Sequence, residues 1–369
     1  MNVKESTPRS TADPVRLLVV SPFKDPNWRW HADRFSANEL QFEFMNGNSY
    51  RFNEALWSAH AYRAVSRLKS FDGVVTFHPY MIFWVAFWMH VRGVRKPHFA
   101  WGLNHGNQRF FRGFYLWAAR RVFREVDYFT VLSLDERDLF NKLYGIPEDK
   151  LLFRHWATAV PEVSEPLPEH LRALQPYICC IGRNNRDFET MFDAVRGLPV
   201  SLIVVCPTYA LRAFDVPDNA KVLCDLSFQE CMEIIKGSVA NIVAVRDNTT
   251  GAGHMTIVSG MHLGKAQIVT EVEKARDYFV GGVHGFWAKP RSSEDMRTKI
   301  VRLLEDDVLR QQFETNASEF GKKWVSEESS IEAARHDLRS WLEGKHPGAT
   351  PPGWEVERKR LDELAGSTA

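Results

Sequence analysis

The sequence predicts an α/β protein built from two doubly wound, Rossmann-like domains facing a cleft. Three observations predict it. The chain has 369 residues, which the usual size of a hydrophobic core divides into two domains of roughly 150 residues. Continuous apolar runs, such as Val15 to Ser21 (VRLLVVS) and Val200 to Cys206 (VSLIVVC), read as strands buried on both faces, the pattern of parallel sheets. Such runs alternate with helix-spaced segments in both halves, and the Pro- and Glu-rich stretch Ala157 to Pro176 interrupts the alternation.

Residues 1 to 14, MNVKESTPRSTADP, are polar and lack the apolar core of a secretory signal. They are expected to form a disordered lead-in to a cytoplasmic chain. The first domain is placed at residues 15 to 160. Its first strand, Val15 to Ser21, is ended by Pro22 and followed by a polar loop. Asn53 to Lys69 has helical spacing, Phe71 to Phe77 is the next strand, and His78 and Pro79 end it. An apolar helix from Tyr80 to His90 leads to a strand from Pro97 to Leu103, with Asn104, His105 and Gly106 beyond. A basic aromatic helix and a strand from Asp127 to Leu132 follow. Ser133 with Asp135 and Glu136 starts the helix Leu134 to Leu143, which Gly145 and Pro147 stop, and a short strand lies near Leu151 to Phe153.

A linker is placed at 161 to 176 and the second domain at 177 to 330. There Tyr177 to Ile181 is a strand, Gly182 to Arg186 a tight turn, Phe188 to Val195 a helix and Val200 to Cys206 a strand. Lys221 to Leu223, Phe228 to Lys236, Ala240 to Val245, Thr256 to Leu263 and Ala266 to Thr270 continue the alternation, and helices from Glu294 to Glu305 and from Leu309 close it. The tail, 331 to 369, is proline-rich and then helical, and either packs back on the first domain or is partly disordered. In doubly wound sheets ligands sit beyond the carboxyl ends of the strands, so the strand-end loops are where function is expected.

Composition narrows the classes. A net charge of +1 argues against general nucleic-acid binding, and the longest apolar run, Tyr80 to Met89, is shorter than a membrane span. Cys179, Cys180, Cys206, Cys224 and Cys231 show no C-x-x-C spacing and read as buried free thiols rather than metal ligands. The segment Arg109 to Arg124, RFFRGFYLWAARRVFR, interleaves arginines with aromatics and contains no acid. It reads as a helix lying on an anionic membrane surface, against the alternative of a core helix with a solvated basic face.

Asn248 to Thr270, NTTGAGHMTIVSGMHLGKAQIVT, runs a glycine turn into a helix and then a strand. Gly251 and Gly253 permit positive φ, Thr249, Thr250 and Thr256 offer hydroxyls, and the first helix amides and the helix dipole favour an anion. Many such turns bind nothing.

Three segments in succession resemble the GT-B class of nucleotide-sugar glycosyltransferases, in particular the retaining family 4 type with a paired-glutamate motif, E-x7-E. They are Val131 to Phe153 (VLSLDERDLFNKLYGIPEDKLLF), Ile181 to Thr190 (IGRNNRDFET), and Asn248 to Thr270 with the GVHGFWAKP that ends at Pro290. The resemblance covers roughly Val15 to Trp324 and implies GT-B architecture. It implies that Arg183 reaches the donor diphosphate, a surface salt bridge being its other reading. The family's assisting lysine is missing, and Arg186 is the nearest cation, unless it pairs with Asp187. Laid on this chain, the two motif acids fall at Gly251 and Ser259, neither a glutamate, so the motif is degenerate. Asp247 is the nearest acid able to stand in.

By the same resemblance Gly253, His254, Met255 and Thr256 present amides to the diphosphate, and His254 either donates to a phosphate or is a capping or loop histidine. His105 takes the place of a histidine close to the transferred sugar, with His78 behind it. His31, Asp33 and Asp25 sit on the same loops, and Asp33 or Asp25 would be the acceptor base of an inverting enzyme. The implied activity is metal-independent transfer of a hexose from a nucleotide-diphosphate sugar to a membrane-proximal or lipid-linked acceptor, in polysaccharide or glycolipid synthesis, with no cofactor and with retention favoured. The alternative is a catalytically silent protein of the same fold that binds a nucleotide sugar or a protein partner. A nicotinamide-dependent oxidoreductase lacks support, because SPFKDP stands where G-x-G-x-x-G would follow the first strand.

Overall fold

The structure, a computed structural model, describes residues 14–30, 32–47, 54–104, 112–163, 167, 169–210, 214–247 and 252–368. It divides into two compact units. The first comprises Met1–Leu132, Glu136–Phe153 and Leu338–Ala349; the second comprises Ser133–Asp135, Arg154–Asp337 and Thr350–Ala369. Each carries one six-stranded sheet in which every pairing is parallel.

In chain order the first unit is built from β1 (Val15–Val20), β2 (Leu40–Met45), α1 (Glu54–Arg67), β3 (Gly73–Phe77), α2 (Pro79–Val91), β4 (His98–Trp101), α3 (Phe114–Val122), β5 (Tyr128–Val131), α4 (Leu134–Tyr144, of which Leu134 and Asp135 belong to the second unit) and β6 (Leu151–Phe153). The strand order is β2-β1-β3-β4-β5-β6. β3 is buried through its length, and β1 from Leu17 to Val20, because both faces are covered there; Arg16 at the start of β1 is exposed. β2 was not foreseen; its alternating LQFEFM sequence lies at the sheet edge and stays half-exposed, so it lacks the continuous apolar run that marks its neighbours. The far end of the chain completes this unit. Trp341 donates from Nε1 to the Asp127 carboxylate at 2.9 Å, and a Cβ on Gly73 would stand 2.9 Å from its ring.

The second unit contains α5 (Glu169–Arg172), β7 (Tyr177–Ile181), α6 (Phe188–Val195), β8 (Ser201–Val205), β9 (Ala220–Leu223), α7 (Phe228–Gly237), β10 (Asn241–Val243), α8 (His254–His262), β11 (Gln267–Thr270), β12 (Gly285–Ala288), α9 (Ser293–Glu305), α10 (Asp307–Trp324), α11 (Glu327–Leu342) and α12 (Trp354–Thr368), with α11 continuing from this unit into the first. The order β12-β11-β10-β7-β8-β9 reverses between β10 and β7, the switch point where doubly wound sheets bind ligands. Strand alternation divides the core. Ile178, Cys180, Leu202 and Val204 pack with α6 and α9 on one face, while Tyr177, Cys179, Ile203 and Val205 pack with α7 on the other. A buried ion pair, Arg154 to Asp337 at 2.5 Å, ties the segment after β6 to α11.

Candidate functional site

The loops at the switch point of the second unit are held by backbone pairing. After β7 the chain turns at Gly182, φ +142°, and Asn185, φ +52°, and lies antiparallel to the residues after β10. Arg246 N donates to Asn185 O at 3.0 Å, Asp187 N to Ala244 O at 3.2 Å, and the Asn185 side chain to Asp247 O at 2.8 Å. The turn is therefore fixed to the strand end rather than free in solvent.

This geometry sends the two arginines of the turn in different directions. Arg183 is exposed and makes no ion pair among the described residues. Arg186 is only 6% exposed. Its Nη2 donates to Thr256 Oγ1 at 2.9 Å and to Ile181 O at 3.1 Å, its Nη1 to Asn184 O at 3.3 Å, and its buried Nε has no partner among the described residues. Gly182 makes room for it, since a Cβ there would overlap the guanidinium. The alternative of an Arg186–Asp187 ion pair does not occur. Asp187 instead caps α6, accepting from Thr190 N at 3.2 Å and Thr190 Oγ1 at 2.7 Å. Burial works against the charged form of Arg186 and lowers its pKa, yet a guanidinium remains protonated, so among the described residues a cation hydrogen-bonded to neutral oxygens alone is held inside the site.

α8 begins at Gly253, φ +98°, where a Cβ would stand 2.9 Å from Val243 Cγ1. The Thr256 hydroxyl donates to Ile181 O at 3.1 Å, joining the first turn of α8 to the end of β7. Two buried amides fix the register from below: Asn241 Nδ2 donates to Thr256 O at 3.2 Å and Gln267 Nε2 to Ile257 O at 3.1 Å, and the two side chains join at 2.9 Å. Met255 points outward, half-exposed, and Ser259 is buried at 3%.

Of the two readings of His254, phosphate donor or capping and loop histidine, its contacts match the second. It is buried, its Nε2 bonds Lys274 O at 2.7 Å, and its ring stacks on Tyr278 with centroids 4.5 Å apart. Burial lowers its pKa and keeps it neutral. It pins the start of α8 to the Glu273–Ala275 turn. Thr250 and Gly251, the remaining residues expected at this turn, lie outside the described residues, as do His31, His105, Gly106 and Arg109.

In the first unit His78 stands at the end of β3 with φ +75°, packed against Trp57 and Tyr80 at 5.4 and 5.2 Å. Its Nδ1 is buried without a partner, and burial drives its pKa down to about 4, so it is a neutral imidazole near pH 7. Asp33 lies exposed in the short turn Ala32–Arg34, and Asp25 accepts from Asn27 N at 2.8 Å. The structure thus gathers Arg186, Gly253 and Thr256 around one helix start, with Gly182 beside them. Sequence reasoning missed Asn241, Gln267 and Tyr278; the first two announce themselves only as polar residues inside apolar strands.

Comparison with known proteins places this geometry. The family model described as Glycosyltransferase Family 4 matches residues 20–152, and Glycosyl transferases group 1 matches residues 210–320. Two relatives from Methanocaldococcus jannaschii, each called an uncharacterized glycosyltransferase, are 25% identical over 107 residues and 29% identical over 98 residues. The first match covers 29% of this chain and 26% of the relative, the second 27% of each, so the chain matches about a quarter of their length. Anabaena HepE in complex with UDP superposes with a TM-score of 0.70 at 14% identity, over 88% of this chain and 100% of HepE. Sucrose-phosphate synthase from Thermosynechococcus elongatus gives 0.68 at 12% identity, over 90% and 100%. The lipopolysaccharide outer core galactosyltransferase WaaB gives 0.60 at 14%, over 84% and 96%. At these identities the likeness concerns the fold. A glycosyltransferase model matches part of each half of the chain, and the two parallel six-stranded sheets have the GT-B architecture of these structures, which together support a glycosyltransferase of the GT-B fold.

Proposed function

We propose that the protein transfers a hexose from a nucleotide-diphosphate sugar to a membrane-proximal or lipid-linked acceptor, in polysaccharide or glycolipid synthesis at the cytoplasmic face of a membrane. One observation carries this reading: a buried guanidinium with no carboxylate partner among the described residues, Arg186, lies against the first turn of α8 at the switch point of the second sheet. An anion seated over that turn meets free amides, the positive end of the helix dipole and the field of Arg186. Arg183, exposed and without an ion pair among the described residues, closes on it with a planar fork suited to phosphate.

As the bond between sugar and diphosphate breaks, negative charge grows on the leaving phosphate. Fixed donors aimed at that charge stabilise the transition state more than the ground state. Arg183, Arg186 and the α8 amides supply this stabilisation without a metal. HepE is crystallised with UDP and with UDP-glucose, which supports a nucleoside diphosphate sugar as donor. On the acceptor side neutral His78 offers one hydrogen bond to a sugar hydroxyl or phosphate oxygen, with His105 as the second imidazole. Asp33 is the base if the reaction inverts; retention is the reading the resemblance favours. Among the described residues no helix is long and apolar enough to cross a membrane.

A second reading is motivated by Gly251 and Ser259, which stand where two acids are expected: a catalytically silent protein that binds a nucleotide sugar or a protein partner. Incubating the purified protein with a panel of nucleotide sugars and measuring released nucleoside diphosphate separates the two. Release from one donor, lost in Arg183→Ala, is the expected result. Donor binding by calorimetry with no release from any donor would favour the silent protein.

A further inference from the structure

The apolar helix α2 is not fully covered. Its sequence, PYMIFWVAFWMHV, is apolar all round, a composition suited to complete burial, yet Trp84, Phe87 and Trp88 are only half-buried. These rings continue onto both neighbouring helices. Trp88 meets Tyr62 of α1 at 5.1 Å and Phe87 at 5.4 Å, and Phe87 meets Trp84 at 5.6 Å. Trp84 then contacts Tyr115 of α3 at 6.2 Å, from which Phe114 and Trp117 follow at 6.0 and 5.8 Å. A continuous aromatic strip therefore crosses three helices of one unit, and at its α3 end Phe114 is 63% and Trp117 66% exposed.

The strip is bordered by positive charge. Ala118, Ala119 and Val122 face the core, which turns Phe114, Trp117, Arg120, Arg121 and Arg124 to one outward stripe at helical spacing, with Arg112 just before it. Residues 112 to 124 contain no acid. At the other end Arg92 lies over the Tyr62 ring at 4.9 Å, and the carboxylate of Glu125 is taken by His90 at 2.7 Å and Arg95 at 3.7 Å.

We infer that this face docks on the surface of a lipid bilayer containing anionic phospholipid, with Phe114 and Trp117 entering the interface and the arginines meeting headgroup phosphates. Tryptophan and tyrosine favour the interface because their rings are apolar and their tips polar, and juxtamembrane arginines are attracted by the negative surface. A second copy of the chain fits the face poorly, since two-fold pairing would set the arginine stripe against itself. The inference deepens the proposed function by naming where the acceptor is met, and it is read without any donor.

The test is co-sedimentation of the full chain with phosphatidylcholine vesicles, with and without phosphatidylglycerol. The protein should partition onto the anionic vesicles only, and added salt should weaken it. Phe114→Ser with Trp117→Ser should lower partitioning about tenfold or more, and Arg121→Glu with Arg124→Glu likewise, with melting temperature and nucleotide-sugar binding unchanged, because all four side chains are exposed. No partitioning onto anionic vesicles, partitioning of the aromatic variant equal to that of the parent, or a solution dimer that the aromatic variant abolishes would overturn the inference. Loss of nucleotide-sugar turnover with vesicle binding intact would count against the proposed reaction alone.

Discussion

Arg186 and Thr256 meet at 2.9 Å across 70 positions of sequence, and this hydrogen bond joins the turn after β7 to the first turn of α8. The same hydroxyl donates onward to Ile181 O, so one threonine and one arginine set the distance between the two loops at the switch point.

Replacing Arg186 by methionine separates its two effects. The change removes a buried cation together with its donated hydrogen bonds to Thr256 Oγ1, Ile181 O and Asn184 O and refills the space with apolar atoms, so the ligand-free protein should lose no more than about 1–3 kcal/mol. Nucleoside diphosphate should then raise the melting temperature much less than in the parent. Urea titration and thermal shift with and without UDP read both; a large loss of stability with an unchanged UDP shift would refute the assignment.

Arg183→Ala should leave stability within about 0.5 kcal/mol, since the side chain is exposed and makes no ion pair among the described residues. Donor turnover should fall about 100-fold, the usual cost of losing one donor to a developing anion. Kinetics and a melting curve on the same preparation decide it.

Asn241→Ala tests the support beneath α8. It would leave the Gln267 amide oxygen unpaired in the core and withdraw one donor from Thr256 O, a cost of about 1–3 kcal/mol. Denaturant midpoints should show that loss together with a weaker UDP shift, because the helix start is no longer held.

Four histidines predict the acid side of the stability curve. Burial lowers the pKa of His78 to about 4 and of His98, His155 and His284 to about 3, whereas the unfolded chain titrates near 6.5. Below pH 6.5 the unfolded state gains protons that the folded state refuses, so stability is full above that pH and falls as pH drops toward the folded values. At pH 5 the loss should approach about 2 kcal/mol for each such histidine. Urea midpoints at pH 7 and pH 5 should differ accordingly, and His284→Phe should narrow the difference.

Much of the fold could be read because parallel strands leave continuous apolar runs; β1, β3, β7 and β8 are of this kind. β2 escaped because an edge strand keeps polar residues on alternate positions. At the site, the Gly182 to Arg186 turn and the Gly253 helix start were legible from their residue types. Which arginine is buried was not, because it depends on Thr256 far along the chain and on space at Gly182. The two readings of His254 could not be told apart for the same reason: its partner is a backbone carbonyl at Lys274, and carbonyls carry no signature in sequence. α2 was read as an ordinary apolar helix, since nothing in its residues says that one side stays uncovered.

The first unit is also completed late. Trp341 packs beside Gly73 and bonds Asp127, and Ala349 O accepts from Phe153 N, so the sheet that opens at Val15 has its last contacts supplied by residues 338 to 349. During synthesis the amino-terminal unit must wait, unfinished, until nearly the whole second unit has left the ribosome. A fragment ending at Phe153 should accordingly be prone to aggregation, and adding the 338 to 349 segment in trans should raise its solubility.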